Sequence, residues 1–139
     1  MHQVYYTRTK PFPGTRYADV YRPALAFYSQ IKRKSKRRPY VRSAYFQKQK
    51  VFLELFWQHV RMKRNLRDKT RRVKYFSCAI ELLEHSRFDP ITKDNPNRSG
   101  ELLHRFSGMA PNGNLYYVQV KENKRTGRKW LISVFPEEM

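Results

Sequence analysis

The sequence predicts an α+β protein in which basic N-terminal helices lead into a helix packed on a three- or four-stranded antiparallel meander. Three observations carry this. Apolar residues recur near a 3.6-residue period up to about residue 85 and switch to a period of two from about residue 102. Residues 1–78 hold 21 Lys and Arg against three acids (Asp19, Glu54, Asp68), whereas residues 79–139 hold nine against eight, so nearly all of the net charge of +19 lies in the first half. Clusters of Pro, Gly and Asn punctuate the later apolar runs. The boundary expected from this asymmetry is a basic helical extension over 1–66 and an α+β domain over 67–139, packed separately or as one unit.

Taken in order, residues 1–16 carry Pro11, Pro13 and Gly14 and no period, which reads as an extended arm with a short edge strand around Val4–Thr7. Pro23 suits the first position of a helix running to about Arg38, with Leu25, Tyr28 and Ile31 on one face and Pro39 ending it. A second helix is expected from Ser43, a candidate N-cap, to Asn65, with Phe46, Leu53, Phe56, Trp57 and Val60 as its apolar stripe. A third runs from about Asp68 to His85 with Val73, Phe76, Ile80 and Leu83 buried. Its cations come first (Lys69, Arg71, Arg72, Lys74) and its acids last (Glu81, Glu84). That order opposes the helix dipole, so something other than helix stability placed them. Residues 86–100 read as loop. Strands follow at Leu102–Gly108, Leu115–Lys121 and Arg128–Phe135, the first two joined through Pro111-Asn112-Gly113-Asn114.

Alternation gives the faces. Val118 and Val120 should share the core with Trp130, Ile132 and Val134, leaving Tyr117, Gln119, Lys121, Lys129, Leu131 and Ser133 opposite. The first strand adds His104 or Arg105 to that face, depending on register: a two-residue turn at Asn112-Gly113 would set His104 against Lys121, and the other reading of His104 is a partly buried sheet residue. From composition alone, an ordinary solvated sheet face is the default reading of that polar side. His59 reads as structural, His85 as a helix C-terminal residue and His2 as mobile.

Composition narrows function. Hydrophobic residues make up 40% and Phe, Tyr and Trp 15%, enough for a packed core. Cys78 is the only cysteine, which excludes an intrachain disulfide; lying in an apolar run, it reads as a small buried hydrophobe. No apolar stretch reaches a membrane span and the start lacks signal-peptide character, so a cytoplasmic location and no membrane partner are expected. The common nucleotide-loop, zinc-protease and serine-hydrolase motifs are absent, and no carboxylates cluster, so neither cofactor nor metal is expected. The charge excess points to a polyanion, with Lys32, Arg33, Lys34, Lys36, Arg37 and Arg38 as one phosphate-binding cluster. Arg61, Lys63, Arg64, Arg71 and Arg72 form a second. Aromatics interleaved with cations also suit stacking on unpaired bases.

The stretch from Cys78-Ala79-Ile80-Glu81-Leu82-Leu83-Glu84-His85 through Leu103-His104-Arg105-Phe106-Ser107-Gly108, Leu115–Glu122 and Lys129–Pro136 resembles the phage and mobile-element branch of the barnase–EndoU–colicin–RelE-like nuclease superfamily. The resemblance covers about residues 67–139 and rests on hydrophobic alternation plus a few polar positions. It implies a metal-independent endoribonuclease of toxin or effector type, with RNA as substrate and an acidic antitoxin or immunity protein as partner. The family's active face uses His, Lys or Arg and a late Ser or Thr on the sheet. Here those positions are His104 or Arg105, Lys121 and Ser133, with Tyr117 positioning substrate and His85 an outside candidate. RNA carries its own nucleophile in the 2′-OH, so such a protein need only hold the phosphate, stabilise its charge and move protons. The alternative is a non-catalytic nucleic-acid-binding protein, associated with a ribonucleoprotein or a phage, that uses the basic half.

Overall fold

The computed structural model describes residues 3–137, so the reading of His2 lies outside the described residues. The elements in chain order are β1 (Tyr5–Tyr6), α1 (Tyr17–Lys34), β2 (Tyr40–Ser43), β3 (Gln49–Phe52), α2 (Glu54–Met62), α3 (Leu66–Lys74), α4 (Phe76–His85), β4 (Ile91–Asp94), β5 (Glu101–Met109), β6 (Leu115–Asn123) and β7 (Lys129–Pro136). The α+β class holds, and β5–β6–β7 form the expected meander. That meander is the centre of a larger sheet. Seven strands run in the order β1-β5-β6-β7-β3-β2, with β4 also on β5. The pairs β1–β5 and β3–β7 are parallel, so the sheet is mixed rather than a purely antiparallel one of three or four strands.

The helices differ from expectation at points where the chain gives no breaking signal. Residues 43–65 are not one helix. Residues 40–52 form the β2–β3 hairpin, and only Glu54–Met62 is helical. The hairpin turns at Gln47 (φ 57°) and Lys48 (φ 64°), two side-chain-bearing residues in left-handed conformation where Gly or Asn would be usual. The helix expected over 68–85 breaks at Tyr75 (φ −99°, ψ 9°) into α3 and α4. Asn65 starts α3, its side chain accepting the amide of Asp68 at 3.0 Å. Helix α1 begins at Tyr17, so Pro23 lies inside it rather than at its start, and it ends at Lys34 rather than Arg38.

Helices α1, α2 and α4 pack on one face of the sheet, α2 against β7 and α1 and α4 against β2. Phe76, Cys78, Ala79, Ile80, Leu82 and Leu83 of α4 are all buried, against Val118, Val120, Leu131 and Val134 from the strands. Burial pushes the Cys78 thiol up to about 12, and it donates to the Thr9 carbonyl at 3.3 Å. Phe76 stacks on Phe56 at 5.1 Å, with Trp57 edge-on to both. Gly108 faces Tyr116 across β5–β6, where a Cβ would come within 2.4 Å of the ring, so only glycine fits. The space lets the Tyr116 hydroxyl reach the Cys78 carbonyl at 3.1 Å and the Thr7 hydroxyl. The arm before α1 is latched by Glu81, whose carboxylate accepts from the Tyr5 hydroxyl (2.7 Å), the Arg8 amide (3.0 Å), and the amide (2.8 Å) and hydroxyl (2.6 Å) of Thr9.

Two local features set which side chains face the helices. Met109 pairs with Leu115, so the β5–β6 connection spans Ala110–Asn114 rather than two residues. Every β5 residue is thereby displaced by one from the expected partner, and His104 sits opposite Val120, not Lys121. On β7, Gln119 pairs with Ser133 but Val120 with Leu131, which leaves Ile132 as a bulge. Val134 therefore faces the core as expected. Beyond the bulge the parity inverts: Lys129 and Leu131 turn inward and are buried, and Trp130 turns outward. The expectations that Trp130 and Ile132 belong to the core, and that Lys129 and Leu131 lie opposite it, are corrected by this one inserted residue.

Candidate nucleic-acid interface

The face away from the helices is built from alternate residues of every strand, and among its described side chains only Glu101 is buried. It holds five aromatic rings on β2, β3, β6 and β7, and each lies beneath a cation. Lys50 and Arg42 sit over Tyr40 at 4.6 and 5.5 Å. Arg128 sits over Phe52 at 5.7 Å. Lys121 lies 5.0 Å from Trp130, its cross-strand partner. Arg72 and Arg105 both stand 5.5 Å from Phe135, and Arg105 is also 5.7 Å from Tyr117. Tyr6, 73% exposed and paired with Met109, extends the face at its far edge. A cation above a ring is attracted by the ring's quadrupole, yet both groups keep solvent-facing surface.

Sequence reasoning placed Arg105, Lys121, Ser133 and Tyr117 together, and all four share this face. Ser133 accepts from Arg72 Nη1 at 2.7 Å, which brings a helix α3 cation onto the sheet. Arg72 is oriented from behind by Asp68, its Nε donating to both carboxylate oxygens at 3.1 Å. Asp68 also draws in Lys63 at 3.8 Å and Arg71 at 3.9 Å. The Tyr117 hydroxyl donates to Glu137 at 2.9 Å, and that hydrogen bond, with partial burial, holds its pKa above the usual phenol value. Lys121 lies 3.6 Å from Glu101.

His104 does not belong to the face. It is 5% exposed on the helix side, with Nε2 2.7 Å from Glu122 Oε1, Nδ1 2.8 Å from Thr92 Oγ1, and its ring 5.0 Å from Phe46. Glu122 also pairs with the buried Lys129 at 3.7 Å. Lys129 in turn donates to the Gly127 carbonyl at 2.7 Å and to Gln49. This is a satisfied interior network, and the register shift of β5 put it there. His85 is exposed at the end of α4 and lines a cavity with Arg42, Tyr45 and Arg87 that does not include Ser133.

The imidazole that sequence reasoning set aside is the one beside the cluster. His59 is exposed on α2, its Nδ1 3.0 Å from the Ile132 carbonyl at the bulge. With Lys63, Arg72 and Ser133 it lines a cavity of about 210 Å³. The bulge that frees that carbonyl carries no glycine or proline, so nothing in the strand pattern announced it. Of the basic clusters, Lys34, Lys36, Arg37 and Arg38 converge on one hollow, joined by Lys50 from β3 and by Arg128, which precedes β7. Lys32 lies over Tyr28 at 5.6 Å and Arg33 is exposed on α1. Arg61 and Arg64 are exposed around the end of α2, and Arg71 lines a groove beside Tyr17 and Thr70.

Among the described residues, no three His, Cys, Asp or Glu gather where a metal ion could sit, and no helix is long and apolar enough to cross a membrane. Comparison with known proteins gives no match to a family model, a curated protein or a solved structure.

Proposed function

We propose that the chain binds single-stranded RNA along the open sheet face. The observation that carries this is the pairing of the five rings of this face, Tyr40, Phe52, Tyr117, Trp130 and Phe135, each with a Lys or Arg. Unpaired bases stack on exposed rings, at about 1–3 kcal/mol per base, while neighbouring cations follow the phosphates. A duplex hides its base faces and can use only the cations. RNA, rather than DNA, is what the family resemblance implies. Fluorescence anisotropy with one RNA sequence, single-stranded and then annealed, tests this. The single strand should bind about tenfold tighter or better at ~0.15 M salt, on the scale of one or two stacked bases. Equal or tighter duplex binding would overturn it.

A second reading, metal-independent RNA cleavage, is favoured by one further observation: Arg72 and Ser133 line one cavity with His59, and Arg105 meets Arg72 at the Phe135 ring. If His59 donates Nδ1–H to the Ile132 carbonyl, Nε2 is left with a lone pair to take the 2′-OH proton, and Arg72 and Arg105 stabilise the phosphate charge. In this reading His59 takes the role first given to His104, and a neutralising acidic protein would have to cover the same cationic face. RNA incubated with the protein in EDTA should be cut, and His59→Ala should slow cutting about a hundredfold while binding persists. Tight binding with no cutting leaves the binding function alone.

A further inference from the structure

The open face ends at one corner in a hollow of about 550 Å³ whose lining is unlike the rest of the face. Lys34, Lys36, Arg37 and Arg38 approach from the end of α1 and its connector, Lys50 from β3, and Arg128 from the residue just before β7. Its floor is Tyr40 against Phe52, edge to face at 6.3 Å. Among the described residues its lining holds no carboxylate, and Glu54 stands 3.5 Å from Arg38. Phe52 pairs in register with Trp130, so the floor runs without a break into the aromatic face.

Six cations around one hollow exceed what a passing strand requires. Backbone phosphates come one per nucleotide, each with a sugar and base that must also fit, and a hollow of this size is on the scale of one small ligand. A diester at that point would leave most of the cations unmatched and repelling one another. A chain of phosphates joined directly to one nucleoside brings about three or four charges into the same space. The rings beneath offer a surface for its base.

We infer that this hollow is a nucleoside-polyphosphate site, and that it holds the triphosphorylated 5′ end of a strand lying along the face or the same group on a free nucleotide. The inference rests on the single-strand reading for the strand but not for the hollow. Arg and Lys contribute differently: the guanidinium groups of Arg37, Arg38 and Arg128 are suited to bidentate phosphate contacts, and Lys34, Lys36 and Lys50 act as point charges.

The test compares one short oligouridylate carrying a 5′-triphosphate, a 5′-monophosphate or a 5′-hydroxyl, with ATP and GTP as competitors, at fixed salt. Affinity should rise in the order hydroxyl, monophosphate, triphosphate, with about tenfold or more between the first and last. The double variant Lys36→Ala/Arg37→Ala should bring that ratio down towards one, whatever happens to the common affinity. Arg105→Ala, far along the face, should lower all three affinities and keep the ratio. Displacement by ATP or GTP alone marks free nucleotide as the ligand, and resistance to it marks the strand end. If the hydroxyl strand binds and the triphosphate adds nothing, the hollow is an ordinary part of the backbone track and the inference falls, while the single-strand reading stands. If no oligonucleotide binds but a free triphosphate does, the single-strand reading falls and the hollow remains. If nothing binds, both fall.

Discussion

The two faces of the sheet use the same residue types to opposite ends. On the helix side, His104, Glu122, Lys129 and Gln49 close a network in which each charge has a partner within the interior. On the open side, Lys121, Arg105, Arg72, Arg128 and Lys50 all stand over rings, and Arg72 and Lys121 also have a carboxylate nearby, Asp68 at 3.1 Å and Glu101 at 3.6 Å. A buried charge must be satisfied at once, because desolvation costs more than an imperfect partner returns. A cation on a ring keeps its hydration and remains available to an anion. The difference teaches which polar residues hold the fold and which stand at its surface, and residue type alone does not reveal it.

The sharpest way to break the comparison is to cut both faces and measure stability and binding separately. Phe76→Ala, on the helix side, should cost about 3–5 kcal/mol in denaturant unfolding, because Phe76 is fully enclosed by Phe56, Trp57 and Tyr28. Glu122→Ala should cost a comparable ~3–5 kcal/mol by leaving the 4%-exposed Lys129 without its carboxylate, and should leave the RNA affinity of the folded protein unchanged. Arg105→Ala should do the reverse, lowering single-strand affinity about tenfold while stability moves by ~0.5 kcal/mol or less. Trp130→Ala should destabilise far less than Phe76→Ala, since the bulge at Ile132 turns the ring outward. A Trp130 cost equal to that of Phe76 would place the ring in the core and merge the two faces.

The smallest expected effect concerns the arm. Burial pushes the Glu81 carboxyl up, but hydrogen bonds from the Thr9 hydroxyl, the Arg8 amide, the Tyr5 hydroxyl and the Thr9 amide outweigh it and hold the group at about 2, below the ordinary 4.5. A depressed folded pKa means that Glu81 adds stability above about 4.5, which is lost as pH falls from there towards about 2. Glu81→Gln should therefore flatten the acid limb of the stability–pH curve and leave RNA affinity at neutral pH unchanged. An unchanged acid limb would mean that the arm is held by something else.

How much was legible in the sequence follows from which features have local signatures. The meander was readable because Val118, Val120 and Val134 alternate cleanly and Gly113 marks the turn. The hairpin over residues 40–52 was not, because β2 and β3 are four residues each and their turn runs through Gln47 and Lys48 without glycine. The spacing of Phe46, Leu53, Phe56 and Trp57 then imitated one helix. The site was half legible. Arg105, Lys121, Ser133 and Tyr117 share a face because two-residue periodicity holds locally. His104 and Trp130 were misplaced because a five-residue connection and a one-residue bulge each invert parity, and neither leaves a residue-type signal. Arg72 and His59 reach the site from helices, and no strand pattern could have found them.

The central claim is that RNA lies on the open face, and the two tryptophans report on it from opposite sides. Trp57 is 1% exposed among the helices, and Trp130 lies on the open face beneath Lys121. In an NMR titration with single-stranded RNA, the Trp130 indole resonance and the amides of Tyr117, Arg105 and Lys121 should shift together with saturation, and the Trp57 indole should stay in place. Saturable binding that moves only resonances of α1, α2 and α3 and leaves Trp130 untouched would contradict the account.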